Sequence, residues 1–142
     1  VNGTDFQFRF SKSFMNTSGQ CLGGVLKEER ENVVVVYDDI DLPFGQVRVS
    51  FGRGDGGHNG IRDIVRALGG KDFVRIRIGV QPLDWFGRAR KPKGKDAVSS
   101  YLTRRPFPKK YLMQYPELAE KVWQILEELG ENGYKSAMNK YN

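Results

Sequence analysis

The chain is poor in the residues that most often betray a compartment or a redox role. Its 142 residues include one histidine, His58, and one cysteine, Cys21. A lone cysteine forms no disulfide within the chain, so nothing argues for an oxidising, secretory setting. No apolar run approaches the roughly 18 residues of a membrane span, and no cationic-then-apolar leader opens the sequence. The expected setting is the cytoplasm, or an organelle matrix, with no membrane partner. Repeats, low-complexity tracts and long heptads are also missing, which leads us to expect a monomer. Acidic residues are in deficit, 17 against 23 Lys and Arg, for a net charge of +6. With 39% hydrophobic and 28% charged residues, residues 1–142 read as a single domain able to bury a real core.

The most informative stretch is Gly52-Arg53-Gly54-Asp55-Gly56-Gly57-His58-Asn59. Its four glycines free the backbone for positive φ and for close approach to a ligand. A strand-like run, residues 46–51, precedes it, and Ile61, Ile64, Val65 and Leu68 follow at helical spacing. His58 and Asn59 are therefore expected at a helix N-terminus, where free N–H groups favour an anion. The local pattern fits a ligand site and a plain helix cap about equally. The positive surplus gathers around this loop: Arg53, Arg62, Arg66, Lys71, Arg75 and Arg77, then Arg88, Arg90, Lys91, Lys93 and Lys95. A surplus concentrated in mid-chain favours a nucleic-acid partner over a generally basic surface.

Along the chain, residues 5–10 alternate, with Phe6, Phe8 and Phe10 on one face, and predict a strand. Residues 18–29 predict a helix with Cys21, Leu22, Val25 and Leu26 inward, Cys21 as a buried structural thiol. Val33-Val34-Val35-Val36 within residues 32–37 predicts a strand covered on both faces, as in a central sheet. Asp41-Leu42-Pro43-Phe44-Gly45 reads as a turn. A helix from Gly60 stops at Gly69-Gly70, and residues 73–80 alternate Val74/Ile76/Ile78 with Arg75/Arg77. Residues 81–95 form a basic loop in which Trp85 and Phe86 suit either a surface excursion or stacking on bases. Helices are expected at 96–102, 116–129, ended by Gly130, and 132–141. Strands interleaved with helices indicate an α/β fold.

Four strings occur in one order: Phe14-Met15-Asn16-Thr17-Ser18-Gly19, Tyr37-Asp38-Asp39-Ile40-Asp41-Leu42-Pro43, Gly56-Gly57-His58-Asn59-Gly60, and Arg75-Ile76-Arg77-Ile78-Gly79-Val80. Together with the tail Gly133-Tyr134-Lys135-Ser136-Ala137-Met138-Asn139, they make the chain resemble bacterial-type peptidyl-tRNA hydrolase from about Phe10 onward. The resemblance implies a three-layer α/β/α domain with a mixed central sheet, its first strand and helix missing here. It also implies hydrolysis of the ester between peptide and tRNA, with the tRNA acceptor arm as partner and no cofactor. By the same resemblance Asp38 orients a catalytic histidine, Asn16 holds substrate or the attacking water, and Asn59 supports charge in the transition state. Phe14 and His58 contact substrate, and Arg48 and Arg77, at positions where the family carries basic residues, contact phosphates, with Ser50 standing where a second cation is expected on its strand; Arg53 of the glycine loop is a further candidate phosphate contact. Asp38, Asp39 and Asp41 lack the even spacing and intervening glycine of a hard-cation loop, so no metal is assigned.

Two family strings, the Gly-Asn-Pro-Gly turn and the Thr-Arg-His-Asn segment with the catalytic histidine, do not occur among these residues. The sequence opens at Val1, within an expected hairpin, and reads as N-terminally incomplete. The expectation is that these 142 residues alone are inactive for want of a general base. The alternatives are a catalytically inactive RNA-binding protein of the same fold, splicing-factor-like, or a non-functional fragment.

Overall fold

The computed structural model describes residues 5–11, 15–103 and 109–142. Among these residues three strands form a mixed sheet in the order β1-β3-β2: β1 (Val34–Pro43), β2 (Val47–Phe51) and β3 (Val74–Gln81). β1 runs parallel to β3, with Val34 opposite Val74 and Asp38 opposite Ile78, while β2 is antiparallel to it. One face is covered by α1 (Asn59–Leu68). The other is covered by α3 (Lys109–Leu112) and the long α4 (Tyr115–Tyr141); α2 (Lys95–Thr103) follows β3. The expected three layers and mixed sheet are present.

The two layers of core follow from strand alternation. Val47, Val49, Val74 and Ile76 point to α4 and pack with Leu118, Ile125, Leu126 and Ala137. On the opposite face Ile61, Ile64 and Leu68 of α1 meet Phe73, with Val33, Val35 and Tyr37 against them. The four-valine run is thus contacted from both sides as expected, yet β1 is an edge among the described strands and Val36 remains exposed.

Several local expectations are corrected. Residues 5–10 form no strand; alternation supplies a face, whereas a strand also needs a hydrogen-bonded neighbour. Residues 18–29 are not one helix but parts of two 3₁₀ segments, Met15–Leu22 and Lys27–Asn32, split by a turn at Gly23–Gly24. Leu22 and Val25 still pack inward, while Leu26 is exposed and Cys21 only partly buried. β1 runs through Asp41 to Pro43, so the turn begins at Phe44. The last two helices are joined as α4, and the break falls at Gly133 (φ 77°, ψ 175°) rather than Gly130. Only glycine takes that backbone conformation readily.

The break is bridged by Glu128. Its buried carboxylate accepts from Asn132 Nδ2 (2.9 Å), Ser136 Oγ (2.6 Å) and Lys140 Nζ (2.7 Å). These bonds, from Lys140 first, hold the carboxyl down to about 2.

Candidate functional site

The sheet's topology poses a problem that the glycine loop solves. β2 is antiparallel, so its last residue, Phe51, lies opposite Val74 at the start of β3. The C-terminal ends of β1 and β3 are at the other end of the sheet. Residues 52–58 must climb back across the sheet before α1 can begin beside Asp38. Gly56 (φ 59°) and Gly57 (φ 81°) provide the left-handed conformations this path needs.

The climb is pinned from below. Arg75, fully buried on β3, donates from Nη1 to the carbonyl oxygen of Gly54 at 2.6 Å, and its guanidinium lies 4.5 Å from the Phe73 ring centroid. Its Nε and Nη2, and Ser50 Oγ opposite it in register, have no hydrogen-bond partner among the described residues. Buried unpaired donors cost stability. Arg75 therefore stabilises the loop's position more than the fold. Higher in the loop, Asp55 accepts from Gly57 N (2.8 Å) and Arg62 Nε (3.0 Å). These bonds, the backbone one first, lower its pKa.

The loop delivers His58 as the N-cap of α1. Its Nδ1 accepts from the backbone N–H of Ile61 at 3.2 Å, and its Nε2 faces Asp38 Oδ1 at 3.4 Å. The first contact requires an unprotonated Nδ1, so in neutral His58 the proton is on Nε2, directed at Asp38. In this arrangement neither ring nitrogen offers a free lone pair to a substrate. His58 caps the helix, one of the two readings its sequence context left open, and also faces the Asp38 carboxylate. The Tyr37 ring meets the imidazole edge-on at 5.1 Å between centroids. Asp38 is held below its ordinary pKa, chiefly by the hydrogen bond from His58. Tyr37 is raised, first by burial and then by Asp39.

Around this pair opens a cleft of about 680 Å³. Of the residues named from the sequence, Asp38, His58, Asn59, Arg53 and Arg77 line it. Asn59 opens α1 and is exposed. Arg77 is buried and paired to Asp39 at 2.7 Å. Arg48 lies outside the cleft, opposite Arg77 on β2, and donates to the main-chain oxygen of Asn142. Asn16 lies on the first 3₁₀ segment, which docks on α1 through Gly19 N and Asp63 Oδ2 (2.7 Å). Phe14 lies outside the described residues. Among the described residues no three His, Cys, Asp or Glu side chains converge as a metal cage, and no helix is long and apolar enough to cross a membrane.

Sequence reasoning missed three parts of this site. Tyr37 and Arg75 brace it from beneath, and the signal for Arg75 was available: arginine at alternate positions of a strand that a helix must cover. The third is the far wall as a wall of this cleft, to which α2 and the preceding residues bring Ser99 and two cations already named in the mid-chain basic cluster, Lys91 and Lys95. Lys91 pairs with Asp41 across the cleft, and Tyr101 ties α2 to β3 through the Val80 carbonyl (2.9 Å). Burial pushes the Tyr101 phenol to about 12.

The fold and cleft define a class: an α/β/α protein with an anchored carboxylate near the end of a regular parallel register, beneath a cationic rim. The peptidyl-tRNA hydrolase family model matches residues 1–142, and the chain belongs to that family. Peptidyl-tRNA hydrolase of Syntrophotalea carbinolica is 37% identical over 145 aligned residues, covering 100% of this chain and 71% of that protein. The Geobacter metallireducens enzyme is 38% identical, with 92% and 63% covered. The crystal structure of peptidyl-tRNA hydrolase from Acinetobacter baumannii superposes with a TM-score of 0.73 at 28% identity, covering 92% of this chain and 62% of that one. The chain thus spans roughly two thirds of the length of these relatives.

Proposed function

We propose that these residues form the greater part of a peptidyl-tRNA hydrolase, which cleaves the ester between a peptide and the ribose of tRNA. The observation that carries this reading is Asp38, anchored by His58 where the regular parallel pairing of β1 with β3 is about to break after Asp39, and open to the cleft. Ligand sites in open α/β sheets lie just beyond the carboxyl ends of such strands. Ester hydrolysis needs an activated water, and a histidine supported by a carboxylate supplies it near neutral pH. Asp38 is that carboxylate. Its Oδ1 faces His58, and Oδ2 serves the general base. His58, with both nitrogens engaged, is not that base. Asn59, at the exposed start of α1, supports the developing charge, and Asn16 holds the substrate or the water. A carboxamide suits both tasks, because it donates and accepts without changing charge.

The rim takes the nucleic acid. Arg53 and Lys95 are exposed there, and guanidinium and ammonium groups bind phosphates at helix-terminal clefts. Arg77 stands behind them, oriented by Asp39, and Arg48 extends the same row onto β2. The protein acts as a monomer, without a metal, in the compartment where translation runs.

The test is release of tRNA from peptidyl-tRNA. The 142-residue chain is expected to show none above a buffer blank. A chimera that adds an N-terminal segment bearing the Thr-Arg-His-Asn string is expected to hydrolyse the ester, and chelators are expected to leave it unchanged. Hydrolysis by the 142-residue chain that disappears with His58→Ala would make His58 the base and overturn the assignment.

A further inference from the structure

Between β3 and α2 the chain builds a small hairpin whose form the cleft does not require. Leu83 and Ala89 make an antiparallel bridge, with Asp84 N donating to Arg88 O (2.9 Å) and Arg90 N to Pro82 O (2.8 Å). One carboxylate organises the tip: Asp84 accepts from Phe86 N and Arg88 N, both at 2.9 Å, and from Arg90 Nε at 3.2 Å. The base is fixed to the core through Leu83 N and the Tyr111 hydroxyl at 3.2 Å. Tyr111 is buried and stacked on Phe44.

All this local bonding serves to hold two aromatic rings in solvent. Trp85 is 95% exposed and Phe86 78%. The Arg88 guanidinium lies 5.6 Å from the Phe86 ring centroid. The hairpin leads directly into Lys91, Pro92 and Lys95, which line the cleft. Fixed, exposed aromatic faces flanked by cations are the elements of a base-stacking platform: the rings take any base, and the cations follow the phosphates. A lipid surface suits the hairpin less well. Interfacial anchors present a broad apolar face, whereas here two rings stand above a carboxylate engaged by arginine.

We propose that Trp85 and Phe86 stack on unpaired nucleobases of the 3′ strand whose terminal ester occupies the cleft. This rests on the peptidyl-tRNA reading and adds to it a grip on bases, distinct from the phosphate contacts of the rim. Because stacking is tolerant of sequence, the platform adds affinity for an unpaired strand without selecting among tRNAs.

The test uses the chain with Trp123→Phe, which leaves Trp85 as the single tryptophan. Trp123 is on α4, where its Nε1 bonds Glu127. Binding of a fluorescently labelled, unpaired RNA oligonucleotide is followed by anisotropy, and Trp85 emission by titration with the unlabelled oligonucleotide. The expected result is saturable quenching of Trp85, weaker when the RNA is annealed to its complement. Trp85→Leu should weaken binding about ten-fold with an unchanged salt slope, and Trp85→Phe should retain most of it. Binding by anisotropy with Trp85 unquenched and Trp85→Leu silent would overturn the platform while leaving the peptidyl-tRNA reading intact. A response to anionic vesicles and none to RNA would overturn it in favour of a lipid surface. Absence of RNA binding by either readout would contradict the peptidyl-tRNA reading itself.

Discussion

Alternate residues of β3 meet two different worlds. Val74 and Ile76 face α4 and join an apolar cluster with Val47, Val49 and Ile125. Arg75 and Arg77, their immediate neighbours, face the other way, one pinned to the Gly54 carbonyl and one paired to Asp39. The first face is closed by dispersion and area removed from water, and any well-fitting apolar side chain satisfies it. The second is closed by directed bonds to a loop and to Asp39 of β1, and it leaves Arg75 Nε, Arg75 Nη2 and Ser50 Oγ without a hydrogen-bond partner among the described residues. One face of the strand maintains the fold; the other spends stability to place His58 against Asp38.

That division predicts which substitutions separate activity from stability. The largest effect is expected from Asp38→Asn in an active chimera. The amide can still hydrogen-bond but cannot balance an imidazolium, so turnover should fall by about 100-fold or more, with a denaturation midpoint close to the parent. On the apolar face the outcome reverses. Ile76→Ala leaves a cavity and should cost about 2–5 kcal/mol, measured by urea unfolding, while the folded fraction binds RNA as before.

Arg75→Met sharpens the contrast. It removes the bond to Gly54 and the favourable interaction with the Tyr37 phenol, but also two buried donors without a partner among the described residues, so stability should stay within about 1 kcal/mol of the parent. The loop, however, loses its anchor, and the amides of Gly57 and His58 should exchange with deuterium faster. A stability loss as large as that of Ile76→Ala, with unchanged exchange, would make Arg75 a fold residue.

The smallest effect concerns α4. Glu128 titrates near 2 when folded, against 4.5 in an unfolded chain. A depressed carboxyl contributes stability that is fully present above the unfolded value and lost as pH falls toward the folded one. Stability should therefore decline between about pH 4.5 and 2, and Glu128→Gln should flatten that decline in acid-titrated thermal melts.

The sequence was most legible where period and punctuation agree. α1 lies where Ile61, Ile64 and Leu68 and the Gly69 stop place it, and β2 and β3 where their alternation does. It was least legible where tertiary pairing decides. Residues 5–10 have the alternation of a strand without a strand's partner among the described residues, and Gly23–Gly24 divides a helical pattern into two short turns. The site divides in the same way. Asp38, His58 and Asn59 are named by their strings, whereas Tyr37, Arg75 and Lys91 become visible only once the loop's path over β3 is known. That His58 meets Asp38 and the Tyr37 ring while Arg75 holds the loop at Gly54 follows from topology, not from spacing.

His58 is locked between Ile61 and Asp38, and a single-histidine chain lets this be tested directly. With one histidine in the sequence, a sample labelled with ¹⁵N on the imidazole gives a single pair of ring resonances. For the neutral imidazole the expected tautomer has Nε2 protonated and Nδ1 unprotonated and shifted by its bond from the Ile61 amide, and Asp38→Asn should perturb the Nε2 signal selectively. A spectrum showing Nδ1 protonated, or rapid averaging of the two tautomers that Asp38→Asn leaves unchanged, would contradict it.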